Sequence, residues 1–353
     1  MAIEYDDTPI DELIWQVIAH SSIRADFQSY LLQISGGLHG DEARAKVATL
    51  VDGSEAGQPH FPEAMAQILE KAVSGNVLAQ FHFAKASHYG NGVPKDYEAC
   101  TKWYGLAALQ GDPRSAHNLG MIYLYGDGVP RDIEKAKHLL ESAARNGEPS
   151  AKGILGLIAI RGEGCDKDVA TGMGMLADAY EAGCSSAAYH MAKLLLEGYE
   201  VEVNEPEGIK WLRRSAEMDH DTAQLELARR LRYGRGIKAD PAQAAIWYLR
   251  AAEREDPTAQ SILGVMYLEG EGVPKDGAES VKWLKLAADQ GDAIAQYNLG
   301  LVFIRGKEAP KNYAEALRWF RRSAEGGLNA AQYRLGEALF YGIEGATEDE
   351  VRP

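Results

Sequence analysis

A glycine-rich loop that ends in a lysine and an aspartate is the first candidate for chemistry in this chain. The stretch YGNGVPKD, residues 89–96, sets Lys95 behind two glycines, as phosphate-binding loops do. A phosphate-binding loop needs G-x-x-x-x-G-K-[S/T] directly after a strand, and a dinucleotide fingerprint needs G-x-G-x-x-G in a βαβ unit. This stretch meets neither requirement, and it recurs along the chain, whereas a nucleotide site needs one copy. The pattern therefore predicts a turn between two helices.

Other residue sets that carry out catalysis or bind metals are missing too. No H-E-x-x-H, G-x-S-x-G or S-x-x-K occurs, and the nine histidines are scattered. None of the cysteines forms a C-x-x-C pair, which is typical of a reducing compartment and not of a disulfide framework. They are Cys100, Cys165 and Cys184. The sequence predicts no catalytic residue, no cofactor and no metal, and we expect a protein that is not an enzyme.

A dense group of arginines is the strongest remaining signal. The stretch ARRLRYGRG, residues 228–236, holds four arginines in a chain of net charge −15. Arginine binds carboxylates through two parallel hydrogen bonds, so this group fits a docking patch for an acidic segment. The same arginines could instead pair with nearby glutamates, five of which lie in EGYEVEVNEPEG, residues 197–208. Both interpretations stay open at the level of sequence.

The net charge limits the classes of partner. Affinity for nucleic acid and for anionic membranes rests on Lys and Arg, and the chain carries 37 of these against 52 Asp and Glu. No apolar run approaches the ~20 residues of a membrane span. The N-terminus, MAIEYDDTPIDELIW, lacks the basic start and apolar segment of a secretory signal. Unless a signal peptide has been removed, we expect a cytoplasmic protein that binds neither nucleic acid nor membranes.

The glycine-rich stretch belongs to an internal repeat of 36 residues. Its last residue recurs at that interval as Asp or Asn at Asp96, Asp132, Asp168, Asn204, Asp240, Asp276 and Asn312. Seven residues after five of these positions stands Trp103, Trp211, Trp247, Trp283 or Trp319. Because one tryptophan per repeat at a fixed phase is what stacking requires, we expect these side chains in the core.

Each repeat is predicted to form two helices. In AQYNLGLVFIRG, residues 295–306, apolar residues fall at helical spacing, and the mid-helix Gly300 indicates close helix–helix approach. Equivalent glycines are Gly120, Gly156, Gly264 and Gly336. The second helix, residues 276–291, begins at the N-cap Asp276 and ends at Gly291. One such hairpin cannot bury its apolar face alone, so we predict an all-α fold, a right-handed superhelical α-solenoid of about seven repeats of 36 residues.

The repeat resembles that of a known family. The pattern A-x-x-x-L-G-x-x-Y-x-x-G-x-G-V-x-x-D, followed by K-A-x-x-W and A-A-x-x-G, is similar to the Sel-one-like repeat, a relative of the tetratricopeptide repeats, and residues 115–147 and 258–291 match it closely. The resemblance implies an adaptor that gathers proteins on its concave face, in bacterial signalling, envelope or host-interaction systems.

We predict four segments along the chain. Residues 1–49 form a short helical module, which resembles one found in bacterial multidomain proteins, and residues 50–77 form a linker and an N-terminal capping helix. Residues 78–328 hold the seven repeats, and residues 329–353 form a C-terminal capping helix with an acidic tail.

The predicted function is that of a non-catalytic scaffold or adaptor that binds a protein or peptide partner on its concave face. The candidate contacts are residues of the first helices that the repeat pattern does not dictate: His117, Met121, Tyr189, His190, Arg229, Arg230, Arg232 and Arg305. Two alternatives are an immunity- or inhibitor-type protein that caps a cognate effector, which the acidic residues 1–76 favour, and an enzyme, which the missing catalytic sets disfavour.

Overall fold

The computed structural model describes residues 63–340, and every regular element in that range is an α-helix. The predicted N-terminal module and most of the predicted acidic tail lie outside the described residues. The helices are α1 (Glu63–Val73), α2 (Val77–Tyr89), α3 (Tyr97–Leu109), α4 (Pro113–Tyr125), α5 (Ile133–Arg145), α6 (Pro149–Arg161), α7 (Val169–Glu181), α8 (Ser185–Glu197), α9 (Glu205–Glu217), α10 (Asp221–Tyr233), α11 (Pro241–Glu253), α12 (Pro257–Glu269), α13 (Gly277–Asp289), α14 (Ala293–Arg305), α15 (Tyr313–Glu325) and α16 (Asn329–Phe340). None of these helices is long and apolar enough to cross a membrane.

The helices from α2 to α15 form seven pairs with one repeated geometry. Each of them has 13 residues, and each begins 36 residues after its equivalent in the preceding pair, as the starts at 77, 113 and 149 show. We call the first helix of a pair an A helix and the second a B helix, so that α2 is an A helix and α3 a B helix. The predicted all-α repeat fold is confirmed.

The glycine-rich stretch that resembled a phosphate loop is the joint of one pair. Gly90 and Gly92 have φ values of 77° and 76°, a left-handed conformation that lets the chain leave α2 without a steric penalty. Asp96 then caps α3, because its carboxylate accepts a hydrogen bond of 3.0 Å from the backbone N–H of Ala99. The conformation explains both glycines and the aspartate without a ligand.

The glycines in the middle of the A helices allow the two helices of a pair to approach closely. A Cβ atom on Gly120 would lie 2.9 Å from Leu140 Cγ, and one on Gly300 would lie 2.5 Å from the ring of Phe320. The same holds for Gly156 and Gly264, so the predicted reason for these glycines is confirmed at four positions. At Gly336 a Cβ would meet nothing within 4 Å, since no B helix follows α16 among the described residues.

Polar contacts tie four of the A helices to the helix that precedes each of them. The side-chain amides of Gln80, Gln224, Gln260 and Gln296 donate hydrogen bonds of 3.0–3.1 Å to backbone carbonyls near the ends of α1, α9, α11 and α13. Because these glutamines are buried, the bonds satisfy carbonyl groups that a helix C-terminus leaves free. The same repeat position thus performs the same function in several pairs.

The chain divides into two compact units, Met1–Ala187 and Ala188–Pro353. In the first, Phe83, Trp103 and Tyr104 lie in one buried cluster, and Leu140 and Ile158 lie in another. In the second, one cluster contains Leu227, Trp247, Tyr248 and Trp283. Trp319 is also buried, so the prediction that the tryptophans lie in the core is confirmed for four of the five. Trp211 is partly buried and packs against that cluster.

Within residues 63–340, three residues that are not glycine adopt the left-handed conformation. Asp219 and Glu255 replace stop glycines with φ values of 59° and 66°, and Glu200 replaces a loop glycine with a φ of 64°. This conformation costs a residue with a side chain roughly 1–2 kcal/mol. Asp219 offsets part of the cost, because its carboxylate accepts a hydrogen bond of 3.1 Å from the Gln224 amide.

Substitution of two glycines of α7 is expected to have opposite effects on stability. A Cβ on Gly172 would lie 2.5 Å from the Gly156 carbonyl oxygen, so Gly172→Ala should lower the free energy of unfolding by about 2 kcal/mol. A Cβ on Gly174 would meet nothing within 4 Å, so Gly174→Ala should raise it by about 1 kcal/mol. Urea unfolding followed by circular dichroism measures both values, and equal effects would contradict the close approach of α6 and α7.

The N-cap of α10 predicts a dependence of stability on pH. His220 Nδ1 accepts a hydrogen bond of 3.2 Å from the Ala223 backbone N–H, and burial lowers the pKa of this imidazole below its usual 6.5. The unfolded chain therefore binds the proton more readily, and stability falls as the pH drops through about 6.5. In His220→Asn the cap remains but does not titrate. The loss of unfolding free energy between about pH 7.5 and 5.5 should be smaller in this variant; an unchanged loss would exclude His220 as its source.

Candidate partner-binding face

Two successive A helices, α8 and α10, bring several predicted residues together. The Tyr189 ring stacks on the ring of His220 at a centroid distance of 4.8 Å and an interplanar angle of 16°. Burial is the main cause that raises the pKa of the Tyr189 hydroxyl, and the charge of Glu226 on α10 adds to it. The charge of Arg229 acts in the opposite direction. Tyr189 thus lies beside the Glu226 and Arg229 pair.

The three predicted arginines of α10 differ in how freely they can reach a partner. Arg229 and Arg230 both contact one carboxylate, that of Glu226, at 2.6 Å and 2.8 Å. Arg232 Nε donates to both oxygens of Glu271, at 3.0 Å and 2.9 Å. Only Arg229 keeps more than half of its side chain exposed, at 54%, against 19% for Arg230 and 11% for Arg232.

These contacts bear on the two interpretations of the arginine group. Arg230 and Arg232 pair internally, but their carboxylates come from α10 itself and from the loop after α12, and not from the acidic stretch of residues 197–208. Glu271 is 39 residues from Arg232 along the chain, which is why the sequence did not reveal it as the partner. Arg229 retains the exposed guanidinium that a docking role requires.

Tyr233 belongs to the same surface, although it is not among the residues that the sequence predicts as contacts. It is the last residue of α10 and is 55% exposed. The guanidinium carbons of Arg232 and Arg235 lie 5.2 Å and 5.5 Å from the centre of its ring. A signal was present in the repeat, since the equivalent residues Tyr89 and Tyr125 are also exposed tyrosines before a glycine.

The other two predicted contact residues in residues 188–340, His190 and Arg305, also lie on A helices, but they take no part in the ion pairs of the α10 arginines. His190 is partly buried on α8, and its ring lies 5.9 Å from that of Tyr189. Arg305 is the exposed last residue of α14, at the repeat position that Tyr233 occupies in α10.

Two predicted residues lie in the first unit, on α4. His117 is partly buried, its Nδ1 atom has no hydrogen-bond partner within residues 63–340, and burial lowers its pKa. Met121 is partly buried and packs against the cluster that contains Leu140 and Ile158. Met121 therefore contributes to packing within its own unit. Across the part of the chain that the structure describes, no group of three or more His, Cys, Asp or Glu side chains is arranged to hold a metal ion.

Comparison with known families relates this architecture to one repeat type. The Sel1 repeat matches residues 77–112, 113–148, 185–220, 222–256, 257–292, 293–328 and 329–352. Residues 149–184 are not matched, yet they form α6 and α7 with the same lengths and spacing as the other pairs. The structure therefore extends the repeat through a region where its sequence pattern is weak.

Solved structures support the same conclusion. The chain is 31% identical to c5321, a protective antigen present in uropathogenic Escherichia coli strains that displays an SLR fold, with a TM-score of 0.62. That match covers 81% of this chain but 62% of c5321, so the chain spans less than two thirds of this relative. A Sel1 repeat protein from Oxalobacter formigenes is 28% identical with a TM-score of 0.57, and the match covers 94% of this chain and 91% of that one.

Comparison with curated proteins gave no significant match. The family matches cover well over half of the chain, and they coincide with helix pairs of one length and one spacing. The chain belongs to the Sel1 repeat family.

Proposed function

We propose that this chain is a non-catalytic interaction scaffold whose A helices bind a segment of a partner protein. Sel1 repeat proteins generally mediate protein–protein interactions. The observation that carries the proposal is the exposed pair Arg229 and Tyr233, four residues apart on α10. Residues at this spacing lie on one side of a helix.

The composition of this surface suits a protein partner. Tyrosine and arginine are over-represented among the residues that dominate binding energy at protein interfaces, because both combine apolar area with directed polar groups. The Arg235 guanidinium beside the Tyr233 ring adds positive charge, so the surface favours a segment with a carboxylate near an apolar side chain. Tyr189 extends the same surface onto α8.

The alternative of an immunity- or inhibitor-type protein rests on the acidic N-terminal residues, and these lie mostly outside the described range. It remains a hypothesis that neighbouring genes can test. A toxin gene beside this one would favour the inhibitor, and a kinase or secretion locus would favour the adaptor.

The double substitution Arg229→Ala with Tyr233→Ala tests the proposed face. We expect a partner retained by the unchanged chain in an affinity pull-down to be recovered about tenfold less with this variant, because two central contacts are lost. Quantitative mass spectrometry of the retained proteins measures the recovery. The matched control is Lys238→Ala, an exposed loop cation that should leave recovery unchanged. Equal recovery with all three chains would show that the partner binds elsewhere.

Single substitutions separate docking from internal pairing among the arginines. Arg232→Ala should lower the free energy of unfolding by about 1 kcal/mol, because Glu271 loses a largely buried, charged hydrogen-bond partner. Arg229→Ala should change it by less than about 0.5 kcal/mol, since its side chain is mostly exposed. Chemical denaturation gives both values. A large loss for Arg229→Ala would mean that this residue serves the fold.

A further inference from the structure

The B helices of the second unit carry a band of basic side chains that the proposed A-helix face does not use. In α9, α11, α13 and α15 the same three repeat positions hold nine Lys or Arg residues. They are Lys210, Arg213, Arg214, Arg250, Lys282, Lys285, Arg318, Arg321 and Arg322, which we name the basic band. In a chain of net charge −15 this is a strong local excess of positive charge.

The repeat itself aligns these residues. The four helices begin 36 residues apart, at 205, 241, 277 and 313, so equivalent positions lie on the same side of successive B helices. Four cations of the band also lie over the rings of the tryptophans in their own helices. The distances are 4.4 Å for Arg214 on Trp211, 4.6 Å for Arg250 on Trp247, 5.1 Å for Lys282 on Trp283 and 5.1 Å for Arg322 on Trp319.

Several members of the band have charge available for a ligand. Arg250, Lys285 and Arg322 are exposed and form no ion pair with any carboxylate of residues 63–340. Three other members do pair, each with a glutamate one turn earlier: Lys210 with Glu207, Lys282 with Glu279 and Arg318 with Glu315.

The fold does not require the band. At the corresponding positions of the first unit, α3 has Lys102, Gly105 and Leu106, with Lys102 as their one cation. In the same unit α5 has His138, Glu141 and Ser142, and α7 has Gly174, Ala177 and Asp178. These helices have the same length and the same spacing as α11 and α13. Helix packing therefore does not explain why the B helices of residues 188–340 carry the basic band.

Two further features distinguish between anionic ligands. Carboxylates border the band on both sides, with Glu279 and Glu315 in the first turns of their helices and Glu253 and Asp289 at the helix ends. A phosphate backbone or a flat anionic bilayer that covered the band would be repelled by these carboxylates. Within the band lie two exposed aliphatic side chains, Ile246 at 54% and Leu286 at 44%, which contribute to affinity only if the ligand is also apolar.

We propose that the basic band docks an acidic segment of a partner protein that also carries aliphatic side chains. Its carboxylates would meet Arg250, Lys285 and Arg322, and its aliphatic groups would cover Ile246 and Leu286. Packed helices lie about 10 Å apart, so four of them span roughly 30 Å. An extended segment of about ten residues has that length. The basic band is separate from the A-helix face, so an experiment can reject either proposal and leave the other in place.

Fluorescence anisotropy with a defined peptide tests this inference. The probe is a fluorescein-labelled peptide of about twelve residues that contains Glu, Asp and two Leu, long enough to cross the four helices. We expect saturable binding that weakens as salt is added. The charge-reversal variant R250E/K285E/R322E should weaken binding at least tenfold, and the neutral variant R250Q/K285Q/R322Q should give an intermediate loss. Replacing both leucines of the peptide with serine should weaken binding as well.

The matched control places the same charge change elsewhere. The variant K238E/K275E/K307E alters three exposed loop cations of the same unit that lie outside both the band and the A-helix face, and it should keep the peptide affinity within about twofold. Circular dichroism confirms that all variants fold. An equal loss with this control, or no binding by the unchanged chain, would overturn the proposal. Tighter band-dependent binding of a single-stranded oligonucleotide or of phosphatidylserine vesicles would overturn it too.

Discussion

The close approach of the A and B helices in each pair is the constraint on which the rest of the structure depends. At Gly120, Gly264 and Gly300 a single added carbon would lie within 3.0 Å of the facing B helix. A glycine in the middle of a helix costs about 1 kcal/mol relative to alanine, and the dense packing it permits outweighs that cost. Because the approach recurs every 36 residues, the helix lengths and the joints between helices recur with it.

This regularity separates positions that serve the fold from positions that are free to serve function. The tryptophans, the glutamines that bind carbonyl groups and the mid-helix glycines have the same neighbours in several pairs. Exposed positions do not make these repeated contacts, so the residue types at these positions differ between the two units. In residues 188–340 the exposed positions on A helices combine Tyr233 with Arg229, and those on B helices form the basic band.

The elements of the fold were predictable because their signals are local. Gly90, Gly92 and Asp96 act within one turn and one helix start, so the turn that they predict appears in the structure. The residues of the proposed interaction face were less predictable. In the sequence Arg230 and Arg232 are equivalent candidates to Arg229. In the structure they pair with Glu226 and Glu271, and most of their side-chain surface is buried. The sequence does not single out Tyr233, because a tyrosine before a glycine indicates a binding role only once its exposure is known.

The sequence by itself determined the repeat length, the helix pairs, the caps and the family, since each depends on residue types at fixed spacing. The tertiary structure alone decided which charges are paired and which are exposed. Arg232 meets Glu271 across 39 residues, and the cations of the basic band align only when successive B helices are placed side by side. Ion pairing and exposure depend on distances in space, and a repeat pattern does not contain those distances.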